Sequence, residues 1–316
     1  MVYLISIKLR EDYSNLIFYL SPLVAVFLTL FFGSFIFLIL DLSPIESFKI
    51  FFISPISNSY GISELFVKAT PLAIIALGLS YCFKNNIYNI GAEGQLTMGA
   101  IFGGGIGLFF NDSTSIFLLP LMILFGAIGG AFWASIPALL KTKFNTNEIL
   151  TSLMLTYVAL FILDYFVVGP WKDPAGYGLP KSMPFPDAGR LPVLFDGLRI
   201  HIGVYFAIII CFITHIVYNK TLFGFKLRVS GLSSKASQYA GFKYKNLIFY
   251  TFIISGACAG LAGLFEVSGP IGLLYRDISP NYGFTAIIVA FLGRLNPIGI
   301  ILSSLLIALT YLGAED

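Results

Sequence analysis

Residues 17–40 read IFYLSPLVAVFLTLFFGSFIFLIL, 24 residues without one charged side chain, and this stretch decides the fold. As a helix rising 1.5 Å per residue it is about 36 Å long, enough to cross roughly 30 Å of hydrocarbon. Lys8 and Arg10 precede it, as basic residues precede a secretion signal. The run is far longer than the roughly 7 to 15 apolar residues of a signal, and no A-x-A cleavage site follows. The segment therefore reads as a retained first membrane helix.

Working outward, further apolar spans appear at 70–83, 87–110, 116–140, 149–168, 202–217, 247–267, 283–293 and 297–312. Together they predict an all-α, polytopic membrane helical bundle with about nine transmembrane segments. Composition agrees. With 57% hydrophobic and 11% charged residues, the chain has less than half the charge of an ordinary soluble protein, about 25%. That excludes a soluble enzyme and a disordered chain, and makes membrane lipid the surrounding medium. A net charge of +3 is too small to imply nucleic acid. Cys82, Cys211 and Cys258 lie singly in separate apolar spans and read as small core residues.

Two spans, 70–83 and 283–293, are short for a full crossing, and 87–110 carries Glu93. Short or interrupted segments are tolerated at membrane depth only where protein or a water-filled cavity surrounds the backbone.

Lys and Arg in the connections set orientation, because basic loops stay cytoplasmic. Nine spans with a cytoplasmic N-terminus put Lys8, Arg10, Lys84, Lys141, Lys143, Arg294 and the cluster Lys220, Lys226, Arg228, Lys235, Lys243, Lys245 on one side. That is 12 of the 19 basic residues. The other side receives Lys49, Lys68, Lys172, Lys181, Arg190, Arg199 and Arg276. Loop 219–246 holds its six basic residues with no acidic one, which marks it as cytoplasmic. Loop 169–200 is rich in Pro and Gly and nearly charge-balanced, and reads as an ordered external loop. The whole of 1–316 is expected to be a single transmembrane domain.

Glycines recur at helical spacing: Gly99, Gly103 and Gly107, Gly126 with Gly130, and Gly256 with Gly260, followed by Gly263. Each set lines one helix face, where missing side chains let backbones approach closely in lipid.

Chemistry is scarce. No phosphate-binding G-x-x-x-x-G-K-[ST], no H-E-x-x-H and no G-x-S-x-G is present, and His201 and His215 lack metal-ligand spacing. What remains is a set of lone polar residues in or near spans: Glu93, Gln95, Asp164, Glu266 and Asn296. A carboxylate at mid-membrane costs about 2.5–3.5 kcal/mol on insertion scales. Glu93 must therefore face protein or water, either pinning a Gly-rich turn through backbone N–H groups or touching a substrate. Asp164 and Glu266 are expected near the external interface.

The stretch NIYNIGAEGQLTMGA (Asn86 to Ala100) resembles the signature of the membrane-spanning permease subunits of ATP-binding-cassette importers, in the branched-chain amino acid, ribose and simple-sugar group. Within that group NIGAEGQ is most similar to nucleoside and simple-sugar importers. A second match, GFKLRVSGLSSKASQYAGF (Gly224 to Phe242), resembles the cytoplasmic segment through which such permeases dock on their ATPases. SGACAGLAG (Ser255 to Gly263) and GFTAIIVAFLGRLNPIGI (Gly283 to Ile300) follow in the order that the family has. The likeness runs from about residue 70 to 313. Ser237 replaces the alanine common at that place in the docking segment. The resemblance also implies that relatives continue past YLGAED with further membrane sequence, so against the family plan of about ten spans with both ends inside, a C-terminal segment is expected to be missing here.

The resemblance implies a subunit forming the translocation path for a nucleoside or simple sugar, doing no covalent chemistry. It implies no cofactor in this chain, with ATP bound by cytoplasmic ATPase subunits. A second, non-identical permease and an external substrate-binding lipoprotein or periplasmic protein are the other expected partners. The setting is a bacterial-type cytoplasmic membrane. Asn89, Glu93, Gln95 and Asn296 are the candidates for the path or its signature turn; Arg228, Gly231, Ala236, Ala240 and Gly241 are those for coupling to the ATPase. Binding protein would meet the external loop that carries Trp171 and Tyr177. From residues alone, a basic Gly-containing loop between spans also suits a coupling helix, and the interrupted regions 89–99 and 281–299 point to a path near the midplane. An ion-coupled secondary transporter is the alternative, although it would want an intramembrane relay richer than one glutamate.

Overall fold

A computed structural model describes residues 15–315; Lys8 and Arg10 lie outside the described residues. Helix α1 (Asn15–Ile39) is followed by α2 (Pro44–Phe52), with a 119° bend between 24–39 and 44–56. Pro44 opens α2 because a helix's first turn has no use for the missing N–H. Phe48 of α2 holds α1 by packing edge-on to Phe37, at 5.3 Å between ring centres.

Helix α3 (Ser59–Lys84) starts where the Asn58 side chain accepts the Gly61 N–H at 2.6 Å. The expected short segment at 70–83 is therefore corrected to a 26-residue helix. Its first three turns carry Glu64 and Lys68, which ended the uncharged run but not the helix. After a non-helical stretch come α4 (Ala92–Phe109), α5 (Leu118–Phe144) and α6 (Glu148–Val168). Asn145, in the left-handed conformation at φ 53°, ends α5, and Asn147 caps α6 through the N–H groups of Ile149 and Leu150. Helix α7 (Gly203–Lys220) leads into two short helices, α8 (Leu222–Leu232) and α9 (Ser234–Tyr239). Then come α10 (Tyr244–Glu266), continued as a π-helical turn at Val267–Ile271, α11 (Tyr282–Leu292) and α12 (Pro297–Glu315).

All nine apolar segments carry helix, yet among the described residues six helices are long and apolar enough to cross a membrane, or seven if the bent α1–α2 pair counts as one span. The difference lies in α4 and α11. Glu93 and Gln95, more than the glycines, lower the hydropathy of α4, and α11 has only 11 residues. Both begin inside the protein, where protein replaces water as the partner of the backbone.

Helices α4, α5 and α10 form the centre. Their glycines meet backbone to backbone: a Cβ added at Gly99 would collide with Gly260, one at Gly130 with the carbonyl of Gly256, and one at Gly263 with the carbonyl of Leu96. The glycine stripes are thus the contact surface of a three-helix core, over which α3 packs the fully buried Leu72, Ile74, Ile75 and Leu77.

Charge separates along the bundle. At one end, the Lys84 ammonium lies 3.9 Å from the centre of the Tyr218 ring, Gly231 abuts the Lys84 carbonyl, and Lys141 shares a groove with Lys243. At the other, Lys68 pairs with Glu315 at 2.8 Å, Arg199 with Glu64 at 3.2 Å and Arg276 with Asp164 at 2.6 Å. These are the lysine end and the loop end below.

Candidate functional site

Residues 85–91 leave α3 and climb back beside the core before α4 begins. Asn89, wholly buried, forms a reciprocal amide pair with Gln95: Nδ2 donates to Gln95 Oε1 at 2.9 Å, and Oδ1 accepts from Gln95 Nε2 at 3.0 Å. Asn89 also donates to Ser255 Oγ of α10 at 3.0 Å and accepts the Gly91 N–H at 3.1 Å. The Ser152 hydroxyl of α6 accepts the Ile90 N–H at 3.2 Å. The signature turn is thus tied to α6 and α10, with both polar atoms of each amide satisfied as burial demands.

The second interrupted region enters from the loop end. Residues 272–281 descend from the loop end without helix, and α11 then starts with Asn281 at φ 65° and no side-chain cap of its own. Its free N–H groups are met by other parts of the fold. Ser279 Oγ accepts from Tyr282 at 3.0 Å, and Glu93 Oε2 accepts from Gly283 at 2.6 Å. Ser279 also lies within hydrogen-bonding reach of the Glu93 carboxylate. Gly283 is glycine because its α-carbon sits on the backbone of Ala92 and Glu93, where a Cβ would collide. The N-termini of α4 and α11 consequently converge on one buried carboxylate, the favourable place for a negative charge. The two regions flagged from sequence meet here.

Asn89, Glu93 and Gln95 come together, and all three are closed to solvent in this conformation. Asn296 stands apart. It is exposed and caps α12 by accepting the Ile298 N–H at 3.0 Å. Its turn lies at the lysine end, where Phe291 stacks on Phe83 at 4.8 Å.

Coupling candidates also divide. Arg228 and Ala236 are exposed on α8 and α9, and Ala240 is exposed just past the end of α9. Gly231 faces inward, its added Cβ meeting the Lys84 carbonyl, so it seats α8 on the end of α3. Gly241 has φ 75° and open space around it; it ends α9 in the left-handed conformation that glycine accepts freely. Ser237 is buried and bonds Ser230 at 2.8 Å, joining α9 to α8. Beyond the candidates, Leu232 and Tyr239 are 90% and 93% exposed.

Sequence reasoning missed a polar cleft of about 360 Å³ at the loop end, lined by Asn58, Tyr60, Glu64, Arg199 and Glu315 among others. The signal was Tyr60, Glu64 and Lys68 at i, i+4 and i+8, one face of a helix. Above it, residues 169–202 fold down on the α10–α11 connection, with Ser182 N–H to Leu274 O and Phe185 N–H to Gly272 O, both at 2.8 Å. Trp171 stacks on Phe166 at 4.2 Å, while Tyr177 is fully exposed.

His201 closes this end. It is 2% exposed, and its Nδ1 accepts the Gly203 N–H at 3.1 Å. Burial first, and then the neighbouring Arg199 charge, lower its pKa to about 4. An unfolded His binds its proton near 6.5, so the unfolded state takes up more protons between the two values. The stabilisation from a neutral His201 is therefore complete above pH 6.5 and is lost as pH falls toward 4, at most about 3 kcal/mol. In detergent, a wild-type melting temperature dropping between pH 7 and 4.5 more steeply than that of His201→Asn is the expected result.

A family description of branched-chain amino acid transport system permease components matches residues 61–314. The chain belongs to this permease family. The permease is 34% identical to the glucose ABC transporter permease protein TsgB13 of Haloferax volcanii over 94% of its own length and 80% of that relative's. It is 31% identical to the guanosine ABC transporter permease protein NupP of Bacillus subtilis, covering 93% and 85% of the two chains. With the nucleoside ABC transporter permease protein NupB of Lactococcus lactis the figures are 30%, 93% and 83%. No solved structure matches the permease. It is a multi-pass membrane subunit of the ATP-binding-cassette transporter class, whose systems combine permeases with ATPase and substrate-binding partners.

Proposed function

We propose that this permease forms the path by which a nucleoside or simple sugar is imported across a cytoplasmic membrane. The lysine end faces the cytoplasm and the loop end faces outward, as the basic residues favour. A binding protein delivers substrate to loop 169–200, a second and non-identical permease completes the path, and separate ATPase subunits bind and hydrolyse ATP. Names of the relatives supply the substrate classes. The observation that carries the reading is the α8–α9 pair, acid-free, seated by Gly231 and cross-bonded by Ser230 and Ser237, with Leu232 and Tyr239 standing almost fully exposed. Large apolar side chains on a rigid basic protrusion outside the apolar spans suit burial in a soluble subunit.

In proteoliposomes holding the complete transporter, uptake of labelled guanosine or glucose is expected to need ATP and binding protein and to survive collapse of ion gradients. Gradient-driven uptake without ATP would instead establish a secondary transporter. Burying Leu232 and Tyr239 contributes about 1.5–3 kcal/mol for each side chain. Leu232→Glu with Tyr239→Glu is therefore expected to lower ATPase co-purification by roughly tenfold or more while membrane insertion is unchanged. Undiminished co-purification would move the coupling surface elsewhere.

A further inference from the structure

At the lysine end, where α5 finishes and α10 begins, two adjoining grooves of about 640 and 620 Å³ share Thr142, Lys245 and Asn246. Lys141, Lys143, Lys243 and Lys245 line them, and no acidic residue does. Lys141 is engaged by the buried Glu148 at 2.9 Å. The other three lysines are exposed and have no ion pair among the described residues. Like charges gathered this closely without a counter-ion raise the local potential and attract an anion.

The wall of the groove says which kind. Leu139, Phe249 and Tyr250 form its apolar side. Leu139 closes an exposed stripe of α5 that runs through Leu124, Ile128 and Phe132. At 100° per residue these four positions fall within 80° of one another, one face along the membrane-crossing helix. A ligand seated on the lysines thus has an apolar track running away from it along the depth of the bilayer, interrupted once by Ser135, whose hydroxyl is turned onto the Phe132 carbonyl at 2.6 Å. A free phosphate or a soluble acidic segment would leave that track unused.

We propose that this groove binds one anionic phospholipid, its phosphate headgroup on Lys143, Lys243 and Lys245 and an acyl chain along the α5 stripe. Basic pockets between membrane helices on the cytoplasmic side are suited to such headgroups. The lipid would fasten the end of α5 to the start of α10, directly after the α8–α9 protrusion.

The test is native mass spectrometry of the full chain, extracted from membranes and titrated with cardiolipin or phosphatidylcholine. Cardiolipin is expected to bind at a concentration at least about tenfold lower than phosphatidylcholine, since each lysine near the headgroup contributes roughly fivefold. The triple variant Lys143→Gln, Lys243→Gln, Lys245→Gln is expected to lose that preference, and the triple Lys→Arg variant to keep it. Three results each overturn the proposal: equal binding of both lipids by the wild type, displacement of cardiolipin by excess inorganic phosphate, or a glutamine variant that releases co-expressed ATPase subunits while retaining cardiolipin.

Discussion

Gly260→Leu is expected to leave almost no folded permease. A Cβ at this position would strike the carbonyl oxygen of Gly126 and lie 2.9 Å from both N and Cα of Gly130. Helix α4 also approaches closely, since a Cβ built on Gly99 would itself collide with Gly260. Every atom in the way belongs to backbone, so no rotamer change relieves the clash, and the helices must separate. Separation would break the three-helix contact that carries both the signature turn and the Asn89–Ser255 bond. Overpacking a fitted core costs typically about 1–3 kcal/mol for small insertions. Here four carbons meet the rigid backbone of α5, and the cost approaches the roughly 5–15 kcal/mol that holds a whole domain together. Gly260→Ala should already lower the melting temperature clearly. Size-exclusion profiles of detergent-extracted, fluorescently tagged protein would decide it: a monodisperse Gly260→Leu peak with wild-type thermal stability contradicts this account of the core.

The glycine core was legible in the sequence because periodicity survives without knowing the partner: Gly99, Gly103 and Gly107 must share a face whatever they touch. Apolar runs located the helices for the same reason, since burial in lipid is a local requirement on each segment. Where charge and apolar residues alternate, this signal fails. Glu64 and Lys68 interrupted the run, although both belong to α3 and point their charges to Arg199 and Glu315. The cleft they line stayed hidden because its members come from positions 54–64, 199 and 312–315, and no local pattern links them. Gly231 and Gly241 show a related limit. Both are small residues in one basic segment, yet one is needed for a close approach to Lys84 and the other for a left-handed backbone. Composition cannot separate these demands. The ordering of Asn89 with Gln95 was partly readable, being six residues apart in one turn, whereas Glu93 and Gly283 are 190 positions apart.

That long-range bond supports the second large expectation. Replacing Glu93 by leucine should destabilise the permease, whereas replacing it by glutamine should not do so severely. Helix α11 begins without a side-chain cap of its own, and Glu93 Oε2 meets its Gly283 N–H at 2.6 Å. Leucine removes that acceptor and leaves a buried donor unsatisfied, at about 1–3 kcal/mol. It also removes the anion from the N-terminal ends of α4 and α11, worth a further 0.3–2 kcal/mol or so. Glutamine keeps a carbonyl oxygen for Gly283 and gives up only the charge. A drop in melting temperature of roughly 5–10 °C is expected for Glu93→Leu and less than half of that for Glu93→Gln, with uptake following the amount of folded protein in each case. The ordering of the two variants carries the test, because a capping carboxylate and a substrate-binding carboxylate differ in what an amide can replace. If Glu93→Leu were as stable as wild type and uptake alone were lost, α11 would not depend on this cap. The carboxylate would then belong to the substrate path, opened to it in a conformation where α11 has moved off α4.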